Sequence, residues 1–356
     1  IKSILCLLDK KIINFDYAGV KSDNFTYGNY HYFKKKIKCN DSKNYKKNLK
    51  NYFVILNKEE RIKIIERELK KFCEKNKLNL NYDKELMSRV SDSVEWPNVF
   101  FGSFDEAFFN LPDFLLKTII SEKQDNFTFK KKNGNLSNFF SFVSNLELNK
   151  KKNLIFGNQN VLTARFKDAK FFIEEDNKTK FSEKAKKLSS IIFYNDLGTL
   201  LDRSKRIQQL CLKISEIIKL DISKNFKNLL YSNVDLTTEL VREYPSLQGL
   251  VGGFYAKLLG FDKEICDAFS YQYEFLNDNV ENDLVLVLSI SQKIDSIFGF
   301  FASEKKVSGS GDPFGIRRMV LSVINLLIHK KISLNFSLLF SVLINIYKNQ
   351  NIKIKF

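Results

Sequence analysis

The stretch Leu284–Phe301, LVLVLSISQKIDSIFGFF, admits two folds. Its first half is a run of aliphatic residues that suits a buried strand. Its polar residues decide otherwise. Ser289, Gln292, Lys293 and Ser296 recur at i, i+3, i+4 and i+7, which gathers them on one face of a helix and would scatter them over both faces of a strand. A helix here makes the C-terminal half of the chain a helical region rather than the end of a large sheet.

The segments around it agree. From about Gly157 the pattern is helical. Leu162, Phe166, Ala169 and Ile173 keep helical spacing, as do Ile207, Leu210, Ile214 and Ile217. The stretch DLTTELVREYP predicts a helix capped by Asp235 and stopped before Pro245. In REYPSLQGLVGGFYAKLLG, Leu247, Leu250, Val251, Phe254 and Leu258 form a core stripe. Gly249, Gly252 or Gly253, Ala256 and Gly260 form a stripe of small residues. A helical glycine costs about 1 kcal/mol relative to alanine, so the small stripe implies a close approach, by a second helix or by a nucleic-acid backbone.

The N-terminal part reads differently. Residues 1–56 contain the short β-prone runs SILCLL, KIINFDYAGV and YFVIL. Helical spacing appears at Ile62, Ile65, Leu69 and Phe72, predicting a helix over 57–77, and a second helix is expected at 83–93. From Val94 to about Leu148 short strands and turns return, with KKKNGN as a hairpin tip. The fold class expected is α+β. A mixed α/β region covers 1–156 with a helical insertion near 57–93, a helical domain covers 157–335, and 336–356 begins a truncated following region.

The 356 residues carry a net charge of +17, which favours a polyanionic partner. The abundant Lys, Asn, Ile and Phe also fit AT-rich codons, so charge alone does not prove one. Five widely spaced cysteines and two histidines argue against a disulfide framework or a metal centre and suit a reducing cytoplasm. No apolar run approaches the ~18 residues of a membrane helix, so no membrane is expected. The opening IKSILCLL is too short for a signal peptide. Beginning at Ile1, the chain reads as a piece of a longer protein.

Candidate binding residues cluster in SGSGDPFGIRR, Ser308–Arg318. Asp312 is placed as N-cap with Pro313 at the first helical position. Helical projection puts Val320, Val323 and Leu327 on one stripe and Arg318, Ser322, Asn325 and His329 on the other, with Arg317 on the flank. The local chemistry suits a capped core helix or a phosphate grip. It lacks the order of a Walker loop. Arg165, Arg203, Arg206 and Lys305 extend the basic series, several beside aromatic residues that could stack bases. Asp235, Asp295 and Asp312 look like leftover acids of an HD-type phosphohydrolase, but that chemistry needs an His-Asp pair, and neither His31 nor His329 adjoins an Asp. No catalytic residue is nominated.

Six stretches in order carry a family resemblance: SDSVEWPNVFFGSFDEAFFNLP, GNQNVLTARFKDAKFFIEEDNK, DLGTLLDRSKRI, TTELVREYPSLQGLVGGFYA, SQKIDSIFGFF and GSGDPFGIRR. Together they resemble the β subunit of bacterial heterotetrameric glycyl-tRNA synthetase, over roughly residues 1–335. The resemblance implies a tRNA-recognising, non-catalytic β subunit of an α2β2 glycine–tRNA ligase. In that family the α subunit uses ATP and Mg, and the β chain binds no cofactor. The partners implied are the α subunit and tRNA(Gly). The N-terminal region would be similar to B3/B4-type modules and the helical part to an HD domain. Contacts to tRNA would fall on Arg317 and Arg318, with Arg165, Arg203, Arg206 and Lys305 as further candidates. A stand-alone helical RNA-binding or scaffold protein is the alternative. The chain departs from the family at Gly311, where a Lys is usual, at KQDNF around Gln124 and Phe127, and at Tyr32, which replaces an Arg.

Overall fold

The computed structural model describes residues 3–146, 151–194, 197–274, 282–303, 312, 315–352 and 354. Internal contacts divide the chain into unit 1, residues 1–168, and unit 2, residues 169–356.

Unit 1 opens with very short strands. β1 (Ile4–Leu5) runs parallel to β5 (Val20–Asp23), and β4 (Asp16–Tyr17) flanks β5 antiparallel. β2 (Leu7–Leu8) pairs with β3 (Lys11–Ile12), and β6 (Phe25–Tyr27) with β7 (Lys36–Lys38). The expected strand YFVIL does not form. Instead α1 (Ser42–Asn51) starts at Asp41, whose carboxylate accepts the Asn44 N–H at 2.8 Å. Phe53 then takes a left-handed φ of 62°, which a regular strand cannot hold.

α2 (Lys58–Asn76) is capped by Asn57, and α3 (Lys84–Ser93) by Asp83. They lie against an antiparallel sheet of order β8-β10-β11-β9, built from β8 (Asn79–Leu80), β9 (Asn98–Ser103), β10 (Phe127–Lys130) and β11 (Leu136–Ser144). Between β9 and β10 sits the short α4 (Asp113–Lys117). The KKKNGN tip joins β10 to β11. The Lys131 N–H donates to the Asn135 carbonyl at 2.8 Å, and Gly134 supplies the positive φ of 86° that the turn needs. Ile65 and Leu69 of α2 and Leu86, Met87 and Val90 of α3 share one core with Phe127 and Phe129 of β10. The helices near 57–93 form a layer on this sheet, their apolar stripes buried against it.

The boundary expected at 156/157 falls inside α5 (Lys151–Asn177), and the division between the units comes later in the same helix. In unit 2 follow α6 (Phe181–Lys187), α7 (Leu200–Ile218), α8 (Glu239–Glu243), α9 (Leu250–Leu258), α10 (Lys263–Tyr271), α11 (Asp283–Ala302), α12 (Ile316–His329) and α13 (Phe336–Asn349). α7 begins with a capping box between Thr199 and Asp202. The quoted stretch is the helical α11, buried along nearly its whole length between α7, α10 and α12. Among the described residues it is the one helix long and apolar enough to cross a membrane, and 83% of that window is buried inside the structure. The run was longer than the sequence suggested, because a helix absorbs scattered polar residues that break up a linear hydrophobic count.

Three local expectations need correction. Asp235 lies in a 3-10 turn (Val234–Thr237), and the cap of α8 is Thr238, whose hydroxyl accepts the Val241 N–H. In α9 the buried residues come from both stripes, Val251 with Gly252, Gly253 and Ala256, and include Tyr255, while Leu258 is exposed. Residues 336–356 do not begin a separate region: α13 packs on α7 and α11 within unit 2.

Candidate functional site

α7 presents Arg203 and Arg206 to α11. Arg203 precedes Ile207 by four residues and so falls on the stripe that continues through Leu210 and Ile214, all buried. Both arginines converge on Asp295 of α11. The Arg206 Nε donates to Asp295 Oδ1 at 2.8 Å and the Arg203 Nε to Oδ2 at 3.3 Å. Tyr347 of α13 donates its hydroxyl to the same Oδ1 at 3.2 Å. Arg206 also donates to the Leu197 carbonyl and to Gln350 Oε1, and its guanidinium lies 4.3 Å from the Tyr347 ring centroid. Burial is the largest influence on the Arg206 pKa and works to lower it, but Asp295, Tyr347 and Asp202 together outweigh it and hold the guanidinium above its ordinary range. Burial, with Asp295, drives the Tyr347 phenol upward.

This cluster revises two of the expected RNA contacts. Arg206 is fully buried, so its charge is committed to the core and presents nothing to a surface partner. Arg203 is 7% exposed. It donates through Nη2 to Ser296 Oγ at 2.9 Å and stacks on Phe193 at 4.2 Å, with one side open to a cavity.

That cavity, about 430 Å³, brings Arg203 together with Arg318. Aromatic and apolar side chains, including Tyr194, Tyr273, Phe300 and Met319, form much of its wall, with Gln248, Gln272, Gln292 and Ser296 among the neutral polar groups. Lys293 of α11 reaches it as well. Its ammonium donates to the Glu274 carbonyl at 3.1 Å, to the Gln272 carbonyl at 3.5 Å and to Ser289 Oγ. Among the described residues Lys293 makes no ion pair, and burial pushes its pKa down to about 8. Lys293, Gln292 and Tyr347 were missed as site residues. The signal was available, since Gln292 and Lys293 belong to the polar stripe that identified α11 as a helix.

The start of α12 differs from the expected cap. Asp312 is not the N-cap: Gly315 occupies that position with a left-handed φ of 67°. Asp312 reaches the helix from outside, its carboxylate accepting the N–H groups of Ile316 at 2.7 Å and Arg317 at 2.9 Å. These first donors are thus occupied and are not open to a phosphate. Arg317 and Arg318 are both exposed, while Ser322, assigned to the polar stripe, is buried beside Val323, Leu326 and Leu327. Arg165 is exposed on α5. Lys305, Gly311 and Pro313 lie outside the described residues.

The small-residue stripe has a structural answer. A Cβ on Gly253 would sit 1.9 Å from Ser270 Oγ and 2.4 Å from the Cys266 carbonyl, so α9 and α10 cross in direct backbone contact. Asp235 lies beneath the start of α9, its Oδ2 accepting the Gly249 N–H at 2.6 Å. Burial pushes the Asp235 carboxyl up to about 6 against the pull of backbone N–H donors. Among the described residues no three His, Cys, Asp or Glu side chains gather as a metal site.

Comparison with known proteins covers the whole chain. The profile of the family described as "Glycyl-tRNA synthetase beta subunit" matches residues 1–356. The glycine–tRNA ligase beta subunit of Oenococcus oeni is 33% identical over 339 residues, which is 93% of this chain and 49% of the relative. That of Rickettsia canadensis is 33% identical over 361 residues, 100% of this chain and 53% of the relative. That of Aquifex aeolicus is 33% identical over 338 residues, 94% and 50% respectively. The chain spans about half the length of the curated relatives it matches. With every residue inside the matched region, the chain belongs to the glycyl-tRNA synthetase beta subunit family.

Proposed function

We propose that this chain is the tRNA-recognising part of a glycine–tRNA ligase β subunit. It holds tRNA(Gly) while a separate α subunit, using ATP and Mg, forms glycyl-adenylate and transfers glycine to the RNA. In this reading unit 1 corresponds to the B3/B4-like region and unit 2 to the HD-like domain of an α2β2 enzyme in the cytoplasm. The observation that carries the proposal is the family match along the entire chain. The exposed guanidinium side chains of Arg317 and Arg318 and the charge of +17 support it, because phosphate contacts dominate RNA affinity. Arg206 has no part in it. Arg165 stays as a secondary contact, and Arg203 contributes only through its open side.

The test is Arg317→Ala with Arg318→Ala in the full-length α/β enzyme. Glycylation efficiency toward tRNA falls about tenfold or more, and the salt slope of tRNA binding drops by about 1 per lost phosphate contact. ATP–pyrophosphate exchange stays unchanged. Loss of that exchange would overturn a positioning role for these arginines.

A further inference from the structure

The stretch Asn24–Asn40 in unit 1 contains no Asp or Glu, but four lysines and five Phe or Tyr residues. The fold sorts them. β6 and β7 form a two-stranded antiparallel hairpin in which Phe25 lies opposite Lys38, Thr26 opposite Ile37 and Tyr27 opposite Lys36. Side chains alternate between the faces of a strand, and directly opposed residues share a face. Phe25, Tyr27, Lys36 and Lys38 therefore stand on one face, and Thr26 and Ile37 on the other. Ile37 is 4% exposed and anchors the hairpin, whereas Tyr27, Lys36 and Lys38 are exposed. The outward face is thus made of rings and ammonium groups.

Ring and cation are also placed together in space. The Lys36 ammonium lies 3.9 Å from the Phe25 ring centroid, and Phe25 and Tyr27 meet edge to face at 5.8 Å, so the two rings do not stack on each other. In the loop between the strands Tyr30 is 65% exposed, with the Lys34 ammonium 5.0 Å from its ring centroid. Among the described residues Lys34, Lys36 and Lys38 make no ion pair. The flanking acids serve the local backbone: Asp23 accepts the Asn24 N–H at 2.7 Å and Asp41 the Asn44 N–H at 2.8 Å. AT-rich codons account for the number of lysines but not for their register against rings.

Rings and cations alternating over one exposed face suit a nucleic-acid strand with unpaired bases. The rings stack on bases and the ammonium groups meet the phosphates. A duplex offers no free base faces, and an acidic peptide leaves the rings unused. We propose that the outward face of the β6–β7 hairpin is a binding surface for single-stranded RNA, with Tyr27 and Tyr30 stacking on bases and Lys34, Lys36 and Lys38 on the backbone. It uses none of the cations assigned above to tRNA(Gly), and it does not rest on the ligase reading, since RNA follows from the chemistry of this face.

The experiment uses the full-length protein, together with its partner subunit where one co-purifies, and fluorescein-labelled octa-adenylate carrying one thiouridine. Anisotropy across a salt series gives affinity and salt slope, and photo-crosslinking locates the strand. Tyr27→Ala with Tyr30→Ala weakens binding about tenfold or more and leaves the salt slope unchanged, while Tyr27→Phe binds as the parent does. Lys36→Gln with Lys38→Gln lowers the salt slope by about 0.7 per lost phosphate contact. The crosslink falls within residues 24–40. An affinity that the tyrosine variant leaves unmoved overturns the proposal. So do crosslinks only outside 24–40, the absence of saturable binding, or competition by an RNA duplex or polyglutamate equal to that by unlabelled octa-adenylate. Arg317→Ala with Arg318→Ala keeps the hairpin crosslink, so this surface fails in the crosslink and the ligase reading fails in glycylation.

Discussion

Phe100, Phe127, Phe129 and Phe140 are among the bulkiest fully buried side chains of unit 1, and Arg206 is the bulkiest of unit 2. In unit 1 two capped helices close over one face of an antiparallel sheet, and the contacts are apolar and aromatic. Phe72 stacks on Phe101 at 4.0 Å between centroids, and its charged pairs, such as Arg89–Asp125, stay near the surface. In unit 2 the helices α7, α11 and α13 meet through one carboxylate that serves two guanidinium groups and a phenol. Apolar burial is non-directional and tolerates repacking. A buried ion cluster is directional, and the removal of one member strands the others. Unit 2 is therefore the more exacting of the two, and it is also where the cavity lies.

The largest expected effect tests that contrast directly. Asp295→Ala leaves Arg203, Arg206 and Tyr347 without their common acceptor and destabilises unit 2 by about 3–5 kcal/mol. The matching change in unit 1, Arg89→Ala opposite the half-exposed Asp125, costs under about 1 kcal/mol. Urea unfolding followed by hydrogen exchange in each unit reads both. Equal losses would erase the distinction.

Gly253→Ala comes next. Alanine favours the helix by about 1 kcal/mol, but its methyl cannot avoid the Cys266 carbonyl, and overpacking costs about 1–3 kcal/mol. The expected outcome is a net loss in the urea midpoint, only partly restored by adding Ser270→Ala, which clears the hydroxyl and leaves the carbonyl. Full restoration would show that the crossing is set by side chains.

The smallest effect sharpens the role of burial. Asp235 has a folded pKa of about 6, raised above its unfolded value by desolvation. A raised carboxyl favours the protonated folded state. Its contribution to stability is therefore present below about pH 4 and is lost as pH rises through about 6. Its Oδ1 lacks a hydrogen-bond partner, which is consistent with the penalty on the charged form. Asp235→Asn removes this titration, so the stability of the variant relative to the parent rises between about pH 4 and pH 6. A pH-independent difference in the urea midpoint across that window would contradict the assignment.

Local signals were readable wherever they act within a few residues. The i, i+3, i+4 spacing located α2, α7 and α11, and Asn133-Gly134 marked the turn between β10 and β11. The YFVIL run misled because β propensity yields to backbone conformation, and Phe53 turns left-handed there. Arg206 was read as a surface cation because arginine is seldom buried. Its partner Asp295 lies 89 residues away, a distance that periodicity does not span. For the same reason Arg318 could be named as a contact, but its place beside Arg203 and Lys293 on one cavity could not.

By itself the amino-acid sequence determined the α+β order of the chain, its basic character, the helicity of Leu284–Phe301 and the ordered motifs of its family. These depend on side-chain chemistry and short-range geometry. Only the tertiary structure decided which cations are spent inside the protein and which remain at its surface. That choice turns on where α7, α11, α12 and α13 meet, and burial and charge pairing between distant segments exist only once the chain has folded.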